Sequence, residues 1–239
     1  YQVFYPEGAK EKYNITFNWT IYYDCGDDKL YNNTGDISVL DERAINHTVK
    51  MIKILSASKY VNTIGIDWEP SGIDLRLVND EFVRKMNVNV PANWNSYTQE
   101  EKMKWIGKRI SRGDWIDGFE CVEYNSTLAD KWHRWIAYTY AKTLKKIIDK
   151  SNSSKTFFMY TGGWIMGRRS GQDPFIISDS GIDIIAPMMY TLDRAAFDNM
   201  IKNMWPPELT YDKLQNLVGG QCILWRRFLD ASINPPGPE

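Results

Sequence analysis

Continuous apolar segments alternate with helical patterns along this chain, and this alternation constrains the fold more than any other feature. The apolar segments read as strands because they are rich in β-branched and aromatic residues. They are Tyr1–Tyr5, Tyr13–Tyr23, Val61–Asp67, Thr156–Thr161, Ile182–Tyr190 and Gln221–Trp225. Helical periodicity marks Asp41–Ser58, Thr98–Ser111, Leu128–Lys150 and Ala195–Met204. Strands that are apolar throughout are typical of parallel sheets covered on both faces, so the pattern predicts βα units around a parallel sheet.

Length and charge narrow the class of protein further. The 239 residues suit one α/β barrel domain or two small domains. A net charge of -1 without a basic stripe argues against a nucleic-acid partner. No apolar run approaches the roughly 20 residues that a membrane-spanning helix needs. The chain starts at Tyr1 without a visible signal peptide, so we expect a processed product or a domain of a larger polypeptide.

Cysteines and glycosylation sequons bear on the compartment. Cys25, Cys121 and Cys222 form no CxxC motif, which argues against zinc and leaves one disulfide plus a thiol, or three free thiols. The Asn-x-Ser/Thr motif occurs at Asn14, Asn18, Asn32, Asn46, Asn125 and Asn152. These sequons predict an extracellular or cell-surface protein that carries glycans.

The strand that ends in Ile64-Gly-Ile-Asp-Trp-Glu69 carries the strongest candidate chemistry. Side chains two residues apart on a strand point the same way, so Asp67 and Glu69 are expected side by side, with Trp68 on the other face. Two neighbouring carboxylates shift each other's pKa, as a proton donor and its helper require. The alternative is a surface pair or a structural salt bridge. Barrel enzymes place their chemistry at this end of a strand.

Two further residues lie where a cleft is expected. Tyr160 ends a strand just before Gly162 and Gly163, so it either lines the cleft or leads into a tight turn. Asp193 is either an acid of the cleft or the N-cap of the helix that begins at Ala195.

Three strand ends together resemble the family-eighteen glycoside hydrolases, the chitinase, hevamine and endo-β-N-acetylglucosaminidase group. The segment Ile64–Glu69 resembles the family's acidic signature strand, Asp-x-Asp-x-Glu. Ile185-Ala-Pro-Met-Met-Tyr190 resembles the later strand that ends in Met-x-Tyr, and Gly219–Asp230 resembles the closing strand with its Trp. The order of the three along the chain is also that of the family.

The resemblance implies a role for each matching residue. Glu69 is the general acid that protonates the glycosidic oxygen, and Asp67 orients the substrate's N-acetyl group, whose carbonyl oxygen attacks the anomeric carbon. Tyr190 hydrogen-bonds that carbonyl, and Trp225 forms the floor under the sugar. These four residues make up the expected site together with Met189, Tyr160 and Asp193. The expected site uses no metal or cofactor.

Two departures from the family pattern shape the expectation. The signature carries further acids at positions that here hold Gly65 and Asn62, and only two strands precede the acidic one where the family has three. We therefore expect a TIM-like (β/α)8 barrel that is incomplete or irregular. It spans 1–233, with an insertion at about 71–127 that holds at least one helix, and a Pro-rich tail or linker at 234–239.

The predicted function is hydrolysis, with retention, of a glycan that contains N-acetylhexosamine; the partner is an oligo- or polysaccharide. One alternative is a barrel without activity that serves as a carbohydrate-binding or cell-surface module. The other is a retaining glycosidase that uses two protein carboxylates.

Overall fold

A computed structural model describes residues 18–67, 73–111, 121–161, 171–173, 176–177 and 180–187, with the side chains at 34–36, 67, 161, 186 and 187 left out. Two separate sheets and four helices make up these residues, together with short 3-10 turns at Leu75–Leu77 and Trp94–Ser96. The strands predicted at Tyr1–Tyr5 and Gln221–Trp225, and the helix predicted at Ala195–Met204, lie outside the described residues. The closed barrel therefore stays a prediction.

The first two described strands form an antiparallel hairpin. Strand β1 is Trp19–Asp24 and β2 is Lys29–Ile37, joined by a turn in which Asp28 adopts a φ of 57°. The sequence predicted a strand at Tyr13–Tyr23, and β1 confirms a strand over most of the described part of that range. Its predicted place in the parallel sheet is wrong, because among the described residues β1 pairs only with β2, in a separate antiparallel sheet. β2 carries Asn, Asp and Gly, which strands disfavour, so its pairing with β1 had no local signal.

The second sheet is parallel, as predicted. It contains β3 (Thr63–Asp67), β4 (Thr156–Thr161) and β5 (Ile184–Pro187), in the order β3-β4-β5. Asp183, just before β5, accepts a hydrogen bond from the backbone N–H of Phe157 at 2.7 Å and thereby fixes the start of β4. This aspartate is structural and lies at the opposite end of the sheet from the predicted cleft.

Capping residues set where the helices begin. Helix α1 (Glu42–Ser56) has Asp41 as its N-cap, and a second, short helix, α2, spans Asp80–Lys85. Helix α3 (Gln99–Ile110) begins with the predicted capping box, in which Thr98 and Glu101 satisfy each other's backbone N–H groups. Helices α2 and α3 both lie within 71–127, where at least one helix was predicted. That this range is an insertion into a barrel stays a prediction.

The longest helix, α4 (Ser126–Ser151), has 26 residues and packs its apolar stripe into the core. Trp132 is fully buried and meets the ring of Phe82 edge-to-face at 5.1 Å. Trp135 packs beside Phe82 and donates its indole N–H to the carbonyl of Leu77 at 2.9 Å. These contacts join α4 to the segment that follows β3.

Three long-range connections hold the hairpin on this framework. Cys25, in the hairpin turn, forms a disulfide with Cys121, with a Cα–Cα distance of 5.5 Å inside the normal range. The buried carboxylate of Asp74 accepts hydrogen bonds from the Ser38 hydroxyl at 2.5 Å and from the Ile21 N–H at 3.3 Å. The disulfide resolves the sequence alternatives for Cys25 and Cys121, while Cys222 lies outside the described residues.

Helix α3 lies against β1 at a close approach that depends on Gly107. A Cβ atom at this position would stand 2.5 Å from Cβ of Tyr23, and real Cβ atoms do not come that close. The absence of a side chain at Gly107 therefore sets the distance between α3 and β1.

Candidate active site

The carboxyl ends of the parallel strands meet at one edge of the sheet. Asp67, the last residue of β3, pairs with Tyr160 of β4, and Tyr160 pairs with Ala186 of β5. Side chains at the carboxyl ends of parallel strands converge, which is why α/β enzymes build their sites there. The backbone therefore brings two sequence-predicted site residues, Asp67 and Tyr160, to neighbouring positions.

The other predicted site residues lie outside the described residues. Glu69 follows the end of β3 by two positions, and the remaining four are Tyr190, Met189, Asp193 and Trp225. Their convergence on Asp67 and Tyr160 stays a prediction.

The side chain of Tyr160 is exposed on the face of β4 that points away from the core. Phe157 and Met159 are buried at 2% and 1% exposure, whereas Tyr160 is 40% exposed. The ring of Phe158 is half-buried on the same face and meets Tyr160 edge-to-face, with centroids 5.2 Å apart. Phe158 and Tyr160 together form an aromatic pair next to the end of β3, suited to the apolar C–H face of a sugar ring.

Gly65 of β3 is what allows the Phe158 ring to lie in this place. A Cβ atom at position 65 would be 2.4 Å from Cζ and 2.7 Å from Cε1 of Phe158. Position 65 shares a face with position 67, and it is where the resemblance leads one to expect a further acid. In this chain an aromatic ring occupies the space of that side chain.

Sequence analysis missed Phe158 as a neighbour of the candidate site. A signal was present, because a glycine inside a β-branched strand often marks the close approach of another group. The partner could not be named, since Gly65 and Phe158 pair only through the register between β3 and β4.

Asp74 and Asp41 are buried carboxylates outside this edge, and both belong to the scaffold. Burial raises the pKa of Asp74, partly offset by hydrogen bonds from Ser38 and from two backbone N–H groups. A raised carboxyl pKa is also a mark of catalytic acids. Asp74, however, is 0% exposed, and its carboxylate oxygens accept hydrogen bonds from β1, from Ser38 and from the backbone N–H of Arg76. We therefore assign it a structural role.

Asp41 is the second buried carboxylate. Burial acts to raise its pKa, but the Arg43 guanidinium and the backbone N–H groups of Asn18 and Arg43 outweigh burial and lower the pKa to about 2. The Asn18 bond, at 2.7 Å, ties the residue preceding β1 to the start of α1. The ionised state of Asp41 therefore supports the fold.

A cavity of about 380 Å³ lies beside β3, on the side of the sheet that faces the helices. Its walls are mostly aliphatic side chains of α1, β3 and α4, including Ile45, Ile52, Ile64 and Leu144. Gly65 of β3 also lines it, whereas Tyr160 does not.

The described residues contain neither a metal-binding cluster nor a membrane-spanning helix. That part of the chain contains no group of three or more His, Cys, Asp or Glu side chains placed to hold a metal ion. It also contains no helix long and apolar enough to cross a bilayer.

Comparison with known proteins returns no match to a family model, to a curated protein or to a solved structure. The class defined by the described residues is an α/β protein with a three-stranded parallel sheet and an attached antiparallel hairpin.

Proposed function

We propose that this protein is a glycoside hydrolase of irregular barrel fold that cleaves a glycan containing N-acetylhexosamine, with retention, by a substrate-assisted mechanism. One observation carries the proposal: Asp67, at the carboxyl end of a parallel strand, lies in register with the exposed Tyr160. An acidic strand end beside an exposed aromatic ring supports a site that binds a sugar next to a carboxylate.

The proposed chemistry is the one that the resemblance to the family-eighteen glycoside hydrolases implies for these residues. Glu69 gives its proton to the glycosidic oxygen as the bond to the leaving sugar breaks. The acetamido carbonyl oxygen of the substrate, oriented by Asp67 and hydrogen-bonded by Tyr190, attacks the anomeric carbon and forms a cyclic intermediate. Glu69 then takes a proton from the water that opens this intermediate, so the configuration at the anomeric carbon is retained.

The aromatic side chains of the proposed cleft hold the sugar rather than react with it. Trp225 forms the floor under the sugar ring, and Tyr160, Met189 and Asp193 line the walls. The exposed ring of Tyr160, backed by Phe158, supports this assignment for the strand end nearest Asp67.

Hydrolysis of chromogenic N-acetylglucosaminides and of plain glucosides tests the proposal. We expect turnover of the acetamido substrates alone, with Glu69→Gln losing about 100-fold or more, since general acid catalysis contributes that much. Asp67→Asn is expected to lose about 100-fold through misorientation of the acetamido group. Asp80→Asn and Glu100→Gln, on the exposed surfaces of α2 and α3, are the matched controls and should retain full activity.

The outcomes separate the proposal from its two-carboxylate alternative. Turnover of plain glucosides at a similar rate shows that the acetamido group is not the nucleophile and that a second protein carboxylate serves instead. An active Glu69→Gln variant contradicts the assignment of the acid in both schemes.

A carbohydrate-binding module without activity is the second candidate, and the contact between Gly65 and Phe158 favours it. An acid at position 65 would be placed to share a proton with Asp67, but the Phe158 ring fills that space. Under this reading the protein binds N-acetylglucosamine oligomers without turnover of any substrate. Binding measured by calorimetry, together with the hydrolysis assay, distinguishes the two candidates.

The proposed location is extracellular or at the cell surface. The Cys25–Cys121 disulfide supports it, because disulfides persist mainly in oxidising compartments.

A further inference from the structure

The sequons differ in their structural setting, and Asn152 has the setting best suited to a glycan. It follows the last residue of α4 in the left-handed conformation, with a φ of 48°, and begins the short loop to β4. Its side chain is exposed, and within the described part of the chain that side chain takes part in no hydrogen bond. Ser154, the third residue of the sequon, is exposed as well.

The four other sequons with a described asparagine overlap regular structure. Thr48, of the Asn46 sequon, lies within α1 and donates its hydroxyl to the carbonyl of Ala44 at 3.0 Å. Asn125 caps α4, accepting the N–H of Leu128 at 2.8 Å, and Thr20 of the Asn18 sequon is buried in β1. Asn32 lies within β2 and accepts a hydrogen bond from Arg76. Asn18 and Asn125 also lie outside helices and strands, but Thr20 of the first sequon is buried and Asn125 caps α4. Asn152 therefore has the exposed loop setting in which glycans are normally attached.

The disulfide is an independent observation that points to the same modification. Cys25 and Cys121 are bonded, and disulfides form and persist mainly in oxidising compartments. In eukaryotic cells that compartment is also where oligosaccharides are transferred to Asn-x-Ser/Thr.

We propose that Asn152 carries an N-linked oligosaccharide. The side-chain nitrogen of Asn152 forms a bond to the anomeric carbon of a lipid-linked oligosaccharyl diphosphate. The bond from that carbon to the diphosphate oxygen breaks, the lipid diphosphate leaves, and one proton of the amide passes to a base. The glycan stands at the amino-terminal end of β4, at the opposite end of the strand from Tyr160, and so leaves the carboxyl edge open.

The test is site mapping on protein secreted from a eukaryotic cell line. Peptides are treated with an amidase that releases N-glycans and converts the modified asparagine to aspartate, which mass spectrometry detects. We expect conversion at Asn152, and we expect Ser154→Ala to lose this glycan while its thermal unfolding stays unchanged. Ser154→Ala keeps Asn152 and its left-handed backbone, so folding is not disturbed.

Asn87 supplies a matched control. It has the same φ of 48°, is exposed and follows a helix, but residue 89 is asparagine rather than serine or threonine. Wild-type Asn87 should be unmodified, and Asn89→Thr should add a glycan there. Recovery of Asn152 without a glycan from the secreted protein overturns the proposal, and a modified Asn87 in the variant would show that the chain was accessible to the transferase. Neither outcome depends on hydrolase activity, so the two proposals fail separately.

Discussion

Replacement of Gly65 by alanine should destabilise the protein, and the loss should vanish when the Phe158 ring is removed. Glycine to alanine in a strand normally stabilises by about 0.4–1 kcal/mol, because it restricts the unfolded chain. At position 65 the new Cβ would lie 2.4 Å from Cζ of Phe158, whereas carbon atoms in contact prefer about 3.5–4.0 Å. The ring must therefore move by more than about 1 Å.

The size of the destabilisation follows from the contacts that the Phe158 ring loses when it moves. Over-packing of this kind costs about 1–3 kcal/mol, and displacement weakens the edge-to-face contact with Tyr160, worth about 0.5–1.5 kcal/mol. After the stabilisation that alanine normally gives is subtracted, Gly65→Ala should lower the free energy of unfolding by about 1–2 kcal/mol. Phe158→Val lacks the three atoms that clash, Cζ, Cε1 and Cε2. In that background Gly65→Ala should be neutral or stabilising.

Urea unfolding of the wild type, both single variants and the double variant measures this coupling as a double-mutant cycle. The expected coupling free energy is about 2 kcal/mol, with unchanged m-values showing that the unfolded state is not altered. Gly107→Ala combined with Phe158→Val is the control, and its two effects should add. If the effects of Gly65→Ala and Phe158→Val also add within about 0.5 kcal/mol, the contact with the Phe158 ring does not determine the stability change caused by Gly65→Ala.

Three further predictions concern the framework. Gly107→Ala, although it improves helix propensity, should lower the free energy of unfolding by about 1–3 kcal/mol in urea, because its Cβ meets the fixed Cβ of Tyr23; a stabilised variant would contradict this packing. The pKa of Asp41 is lowered to about 2 in the folded state, so its contribution of up to about 2 kcal/mol is complete above pH 4 and fades as the pH falls towards 2. Asp41→Asn should flatten the pH dependence of urea unfolding between pH 4 and 2, and an unchanged slope would refute the assignment. Reduction of the Cys25–Cys121 disulfide, which closes a loop with a sequence separation of 96, should cost about 4 kcal/mol, and an unchanged urea midpoint would show that this cross-link is not formed.

The elements with local signals were predictable from the sequence. β4 has the predicted bounds, and the capping box at Thr98 fixed the start of α3. The parallel arrangement of β3, β4 and β5 followed from strands that alternate with helices, because such connections cross over the sheet. Each of these predictions depends either on interactions within a few residues of chain or on a general rule of topology.

The features that escaped prediction depend on residues far apart in the chain. The hairpin strand β2 is stabilised by its pairing with β1 and by the hydrogen bond from Ser38, just after β2, to Asp74, not by its own β-propensity. The place of the Phe158 ring over Gly65 depends on the register of two strands on either side of α4. Of the candidate site, the neighbouring positions of Asp67 and Tyr160 could be anticipated from parallel topology, but the aromatic pair at Phe158 and Tyr160 could not.

The long-range connections of the hairpin also bear on the order in which parts of the chain fold. Contacts between residues far apart in sequence incur a loop-closure entropy before they gain any stability, so they form late. The Ile21–Asp74 hydrogen bond and the Cys25–Cys121 bridge span 53 and 96 residues. We therefore expect the two thiols to meet only after α3 has formed and β1 has docked on Gly107. Oxidation of this pair would then stabilise the docked hairpin, after burial and hydrogen bonding have already brought it into place.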